Sequence, residues 1–434
     1  MAMSGFNFIC TKIKWPTEQP LLFDVGIGQP TPEHPISRYR EYSRIFMRVH
    51  VPLLLLVFWP LLSSAQGQPD TTLLFEFQLR VRSEWRDGYQ LTSTSEDRGN
   101  LSTFQRNRIG FSGGWGRMAF RIQFQDVRNY GQPGGNTQAN IGAAEAWGSL
   151  VLRDGIKAVV GRQKIDIDNG RIVGAANWAN PGRFLDGILL IREQEKNRTS
   201  AMAAWDEINQ TRRLLIHHTQ PFGARHKLTL LAYDQESHTE FSAFTTGLTW
   251  TSKMGDSGWW ATEAYLQKPD GGGSGAMWTL EGGRTGPSGH TWVAGLDLLT
   301  DEGAGAAFSP LLGTNHKFYG WMDHFYLGAA TNGLTDLHIR HRGPISESCS
   351  WGAVFHHFRA FGFRGLLAQE LDMYLTGFSQ EGLSWTVGWS LMDCTPEHVN
   401  RQGHLSETEA SQSAEQLQQW GWVSLNIEPS VLLK

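Results

Sequence analysis

Arginines recur through this sequence at spacings that could do chemistry. Arg80, Arg82 and Arg86 fall at even intervals, and Arg106 and Arg108 repeat the spacing. Arg121 follows, with Asp126 and Arg128 close behind, then Glu145, the run Arg162, Lys164, Asp166 and Asp168, and finally Arg183 and Asp186. In an extended chain, every second residue lies on one face. A guanidinium stays charged at any working pH and grips a carboxylate in bidentate fashion. A row of them around a narrow aqueous passage lowers the barrier for an anion, and interleaved carboxylates keep binding weak enough for release. The same row can equally form Arg–carboxylate ladders that only brace a wall. Spacing alone leaves both readings open.

Other constellations are weaker. The segment 313–323 gathers His316, Lys317, Phe318, Tyr319 and Trp321. It reads as a loop gate or sugar-stacking platform built on His316, Lys317 and Tyr319, or as a packed loop without solute contact. The pairs His217-His218, His338/His341 and His356-His357 lack a third ligand, and adjacent histidines in a strand point to opposite faces. The three cysteines, Cys10, Cys349 and Cys394, show no zinc spacing, and the last two are candidates for pairing in an oxidising compartment. No metal or cofactor is therefore expected. No GxSxG, Walker A or HExxH motif is present. Ser309, Asp323 and His324 are of the residue types that rim-based barrel enzymes use, but nothing in their spacing supports that role, so no catalytic residue is assigned and no enzyme is expected. The net charge of −4 is mild and points to no nucleic acid.

The elements that would position these charges are strands. Phe75, Phe77, Leu79 and Val81 alternate with Glu76, Gln78, Arg80 and Arg82, and Phe120, Ile122 and Phe124 alternate with Arg121, Gln123 and Gln125. About eighteen such segments follow one another, near the length a barrel strand needs. Long connections at 87–102, 129–140, 166–182, 300–333 and 393–417 follow odd-numbered segments. Short turns at 113–116, 154–155 and 286–288 follow even ones. That asymmetry is the pattern of an outer-membrane barrel, with tight periplasmic turns and long outer loops. No repeat of propeller length interrupts it. Charged residues make up only 18% of the chain, while Gly (49) and Trp (18) are abundant, as a barrel wall with interfacial aromatics requires. No apolar run after the N-terminal region is long enough for a membrane helix.

The fold expected is all-β: a single antiparallel transmembrane β-barrel over residues 66–434. Residues 47–65 read as a secretory signal peptide. Arg48 is basic, Val51 to Leu62 are apolar, and Ser63-Ser64-Ala65 are small before Gln66. Residues 1–46 hold five prolines and no period, and read as an unstructured upstream false start before Met47.

Several segments carry a family resemblance. FQRNRIGFSGGW (104–115), FQDVRNYG (124–131), AAEAWGSL (143–150), VGRQKIDIDNGRIVGAANWANPGRFLDGILL (160–190), GTNHKFYGWMD (313–323) and AQELDMYL (368–375) resemble the alginate-export porins, in their Bacteroidetes version. The resemblance spans about residues 72–428 and is most specific over 160–190. It implies an eighteen-stranded outer-membrane barrel passing an anionic polyuronate through an arginine-rich constriction. By it, Arg108, Arg128, Arg162 and Arg183 would line the constriction, with Asp126, Glu145 and Asp186 as acidic partners. Arg80, Arg82, Arg106 and Arg121 complete the expected set. The partners expected are an anionic solute or polysaccharide, the lipid of the outer membrane and, for polysaccharide export, periplasmic proteins. A barrel enzyme or adhesin with a plugged lumen is the alternative, and a soluble periplasmic β-rich binding protein is a third reading.

Overall fold

The structure, a computed structural model, describes residues 72–87, 99–130, 140–325, 333–379, 382–403, 414 and 417–433. The expected signal peptide and the segment upstream of it lie outside these residues. The chain opens with β1 (Thr72–Asp87), β2 (Asn100–Trp115), β3 (Met118–Tyr130), β4 (Asn140–Val151), β5 (Ile156–Gln163) and β6 (Leu185–Gln194). It continues with β7 (Asn197–Asp206), β8 (Thr211–Phe222), β9 (His226–Ser237), β10 (Ala243–Met254), β11 (Gly258–Pro269) and β12 (Gly275–Thr285). The last strands are β13 (Thr291–Leu299), β14 (Leu334–Ser346), β15 (Cys349–Arg359), β16 (Leu366–Phe378), β17 (Leu383–Cys394) and β18 (Gln418–Ile427). Helix α1 (Pro396–Gly403) follows β17.

Each strand is antiparallel to its sequence neighbours, and β18 returns to β1 in register from Leu79↔Ile427 to Asp87↔Gln419. A short β19 (Ser430–Leu433) resumes past Pro429 and pairs with Leu73–Glu76 at the start of β1. It occupies the same place in the ring as β18, so the barrel closes on eighteen strand positions. Closure leaves no open sheet edge and satisfies the backbone within the wall, which a chain surrounded by hydrocarbon must do. The expected barrel and strand number are both found. The long connections, after β1, β3, β5, β13 and β17, all follow odd strands, as the sequence indicates, whereas those after β7, β9, β11 and β15 are as tight, or nearly so, as the turns after even strands.

The outward face is apolar. Phe120, Ile122 and Phe124 on β3, Leu214 and Ile216 on β8, and Val423 and Leu425 on β18 are between 41% and 58% exposed. Trp115, Trp292 and Trp351 stand exposed at the short-turn end and Trp205 and Trp278 at the other, forming the aromatic girdles of a bilayer-spanning barrel.

Inside, two of the long connections fold back into the barrel. Ile165, Ile172 and Val173 of the β5–β6 connection pack with Phe308, Leu312, Phe318, Tyr319, Met322 and Phe325 of the β13–β14 connection. This core rests on wall residues including Met202, Leu215, Leu231, Tyr265, Met277 and Leu299. The inner face over β6–β9 is consequently mixed, against the expectation of a uniformly polar lumen: Leu185, Leu189, Met202, Leu215 and Leu231 carry the loop core, while Arg213, His217 and Thr229 point inward among them. It also reverses one parity assignment. In β6, Leu185 and Leu189 pack inward on this core, while Asp186 shares the outward face with Ile188 and the 43% exposed Leu190. β5 likewise ends at Gln163, so Lys164, Asp166 and Asp168 belong to the loop and do not extend a strand face. Cys349 and Cys394 are free thiols. Cys349 sits opposite Gly377 at the short-turn end of β15, and Cys394 sits opposite Ala368 at the long-loop end of β17. Opposite ends of the wall are beyond disulfide reach.

Candidate lumen site: an arginine wall and a loop across the barrel

β1 and β2 place a column of arginines on the inner face. Register sets Arg80 opposite Arg106 and Gln78 opposite Arg108, and all three arginines are less than 9% exposed. Like charges opposite one another repel, so the column needs acceptors between its members. The β5–β6 loop supplies them. Arg80 donates to the carbonyl of Asn177 at 2.9 Å and to that of Ala179 at 3.2 Å. Arg106 donates to the same two carbonyls at 3.2 and 3.4 Å, and through Nε to Gln78 Oε1 at 3.1 Å. Arg108 donates to the carbonyl of Pro181 at 3.0 Å and to Gln125. Among the described residues none of the three pairs with a carboxylate. Their charge is hydrogen-bonded and not neutralised.

Arg82 sits one step further toward the long-loop end. It pairs with Glu84 at 2.6 Å, donates to the carbonyl of Trp178 at 2.8 Å, and lies over the Trp178 ring at 4.0 Å. His316 stacks on the Trp178 ring at 4.4 Å between centroids, and Trp422 meets it edge-on at 4.8 Å. Trp178 is thus the point where wall, β5–β6 loop and β13–β14 loop converge. Arg121 faces inward on β3 and is bound by Glu76 and by Glu145, the latter at 2.9 Å, so this charge is locally matched.

The far end of the β5–β6 loop is fixed on the other wall. Arg171, 2% exposed, pairs with Glu263 on β11 at 3.1 Å and with Asp297 on β13. Asn169 donates to Glu263 at 2.7 Å, and Asp168 accepts from Thr229 at 3.4 Å and meets His217 at 3.2 Å. In a ring of eighteen positions, β2 and β11 are nine apart, halfway round. The loop therefore crosses the lumen, held at 168–171 on one side and at 177–181 on the other.

The β13–β14 loop lies against it. Val173 and Leu312 form a bridge, Gly174 N donates to Leu312 O at 2.8 Å and Thr314 N to Gly170 O at 2.8 Å. A Cβ on Gly174 would fall on Thr314 Oγ1, so close approach requires glycine there. Arg183 joins the two loops, donating to the carbonyl of Gly174 at 2.9 Å and to that of Leu312. The β13–β14 loop then reaches β16, where Met322 N donates to Glu370 at 2.8 Å and Trp321 N to Asp372 at 3.3 Å. Gly320 makes this possible: its φ is +79°, and a side chain would collide with the Glu370 carboxylate.

The chain matches no family model and no curated protein. Solved structures do match. The outer-membrane protein OprD of Pseudomonas aeruginosa superposes with a TM-score of 0.60 at 12% identity, over 85% of this chain and 98% of that one. The fold is that of the OprD-type barrels. Pseudomonas aeruginosa OpdK, solved with vanillate, gives 0.58 at 12% identity, over 83% and 99%. Acinetobacter baumannii OccAB1 gives 0.57 at 12% identity, over 86% and 99%. The OprD-type likeness agrees with the strand number, and the resemblance to alginate-export porins rests on the quoted segments alone.

Placed in this OprD-type barrel, the expected site residues separate into three groups. Arg80, Arg82, Arg106, Arg108, Arg121 and Glu145 face the lumen together. Asp126 and Arg128 do not join them: they pair with each other at 2.7 Å on the outward face of β3, in line with Phe124. Arg162 and Asp186 also differ from expectation. They are cross-strand partners at 3.4 Å on the faces of Val160 and Ile188, 44% and 55% exposed at the outer rim. There they line one side of a cavity of about 520 Å³ with Arg183, Trp205 and Arg213. Arg183 belongs to neither wall and acts between loops. Of the proposed gate, His316 and Tyr319 are buried in the loop core, Tyr319 beside Arg171, while Lys317 is exposed and donates to the carbonyl of Asn169 at 2.8 Å. Ser309, Asp323 and His324 each have other company: Ser309 bonds Gln267, Asp323 meets His316 at 3.0 Å, and His324 meets His398.

Sequence reasoning missed Arg171, the most deeply buried arginine of the loop system, and the carboxylates Glu263, Asp297, Glu370 and Asp372 that receive the loops. A signal existed. Ile165, Ile167, Ile172, Val173 and Trp178 make the β5–β6 connection too apolar for a loop bathed in solvent.

Proposed function

We propose that this protein is an outer-membrane porin giving passive, anion-preferring passage to a carboxylate-bearing solute. The observation that carries the reading is the lumenal trio Arg80, Arg106 and Arg108, whose hydrogen bonds go to neutral carbonyl and amide oxygens. A carbonyl satisfies a guanidinium donor but leaves its net charge, so the field of the trio extends into the passage beside the crossing loop. The outward apolar belt and the aromatic girdles support the location, and the OprD-type fold supports a channel. The alginate-export resemblance suggests a polyuronate. The crossing loop narrows the lumen and is equally suited to a small carboxylate, the class to which the vanillate bound by OpdK belongs.

The test is conductance of the purified barrel in planar bilayers. Reversal potentials in a salt gradient should show anion preference. Uronate oligomers and a small aromatic carboxylate should each reduce the current in a concentration-dependent way if they enter. Cation preference, or a barrel without conductance, would overturn the proposal.

A further inference from the structure

The β13–β14 loop brings His324 to the long-loop end of β17, where Cys394 closes the strand and His398 sits on the first turn of α1. All three side chains are buried, and one donor atom from each lies within 4.8 Å of the others. His398 Nε2 is 3.4 Å from His324 Nδ1, and Cys394 Sγ is 3.9 Å from the same nitrogen. The ring planes of the two histidines are nearly parallel, at 23°. The 3.4 Å between the two ring nitrogens is longer than the about 2.7–3.2 Å of a good N–H hydrogen bond. Tetrahedral zinc, with Zn–N of about 2.0–2.1 Å and Zn–S of about 2.3 Å, sets its ligand atoms about 3.4 Å apart for N···N and about 3.6 Å for N···S. The His324–His398 separation equals that of two ligands on one such ion, and the Cys394–His324 separation lies slightly above it.

We propose that His324, Cys394 and His398 form a binding site for a thiolate-accepting transition metal of the zinc class. Three protein ligands leave a fourth position for water or another donor. The local architecture suits the task. Thr395 directs its hydroxyl to the carbonyls of Leu366 and Leu367, each at 3.0 Å, and accepts from His398 N at 3.3 Å, so the Cys394-to-His398 turn is held before any ion arrives. His324 comes from a different element, and the ion would fasten the lumen loop to the wall. On binding, the Cys394 thiol loses its proton to solvent and the sulfur coordinates as thiolate. The neighbouring group Asp336, His338 and His356 is a weaker candidate, because Asp336 already takes the His356 ring at 2.8 Å and lies 3.6 Å from that of His338.

The inference does not depend on which solute crosses the channel. The experiment is titration of untagged, folded barrel in detergent with Co²⁺, read by the thiolate-to-cobalt charge-transfer absorption, then displacement with Zn²⁺. One cobalt per chain with that band is expected. The band should vanish in Cys394→Ser, persist in Cys349→Ser, and need at least tenfold more cobalt in His398→Ala. Absence of the band, or its persistence in Cys394→Ser, overturns the site. Should Cys394→Ser not fold, zinc-edge X-ray absorption of the wild-type protein decides. A sulfur neighbour near 2.3 Å supports the site, and a shell of oxygen and nitrogen alone overturns it.

Discussion

Arg80 and Arg106 face each other across β1 and β2, and the acceptors around them, foremost the carbonyls of Asn177 and Ala179, make that arrangement tolerable. Replacing Arg106 by Gln removes one of three unneutralised lumenal charges. A unit charge at close range through water is worth about 1 kcal/mol, raising the anion barrier and lowering the cation barrier by that much, so the anion-to-cation permeability ratio should fall by roughly thirty-fold. Arg128→Gln and Arg162→Gln should leave the ratio unchanged, because both side chains point outward beyond the passage. Reversal potentials of the three variants under one salt gradient check both statements. The contrast also shows what the residues themselves revealed. Arg80, Arg82, Arg106 and Arg108 could be assigned to the lumen from their alternation with Phe75, Phe77, Leu79 and Ile109. Arg128 could have been excluded by the same rule, since it shares parity with Phe124 and not with Arg121. Arg162 could not: the glycine at 161 and the apolar residues on both faces of β6 hide which side is which.

At the scale of elements, the two inward loops depend on a few buried contacts. Arg171→Ala leaves Glu263 and Asp297 buried without their cation, a loss of about 3–5 kcal/mol for a broken buried pair. Released at 168–171, the β5–β6 loop should leave the lumen. Single-channel conductance should rise, and limited proteolysis should cut within 164–184 while the barrel stays intact. Gly320→Ala tests the second loop. Its positive φ and the nearby Glu370 carboxylate forbid a methyl group. The variant should unfold at lower temperature and show noisier current. Loop length was readable from the chain, but loop direction was not. The partners that draw these loops inward, Glu263, Asp297, Glu370 and Asp372, lie about a hundred residues away from Arg171 or on strands whose registry no local pattern sets. The metal-ligand grouping at His324, Cys394 and His398 was hidden for the same reason, as the third ligand arrives from 70 residues upstream.

For the whole molecule, alternation and loop asymmetry sufficed to predict a closed barrel and its strand number, because both follow from repeated local rules. The last position of the ring was the hard part. Pro429 cannot donate to the ladder, so the final strand is broken into β18 and β19. Two measurements belong at this scale. Unboiled protein should migrate faster than boiled protein on a denaturing gel, as a barrel that stays folded does. N-terminal sequencing of protein isolated from outer membranes should begin at Gln66.

A tube with empty walls flattens easily when squeezed from the side. This one carries a spoke. Because the β5–β6 loop is anchored on nearly opposite staves, sideways pressure that ovalises the cross-section must stretch or buckle that spoke and break the Arg171 ion pairs. The bore should therefore keep its shape when lipid thickness or lateral tension changes, and detaching the spoke at one end should make current depend on the bilayer around it.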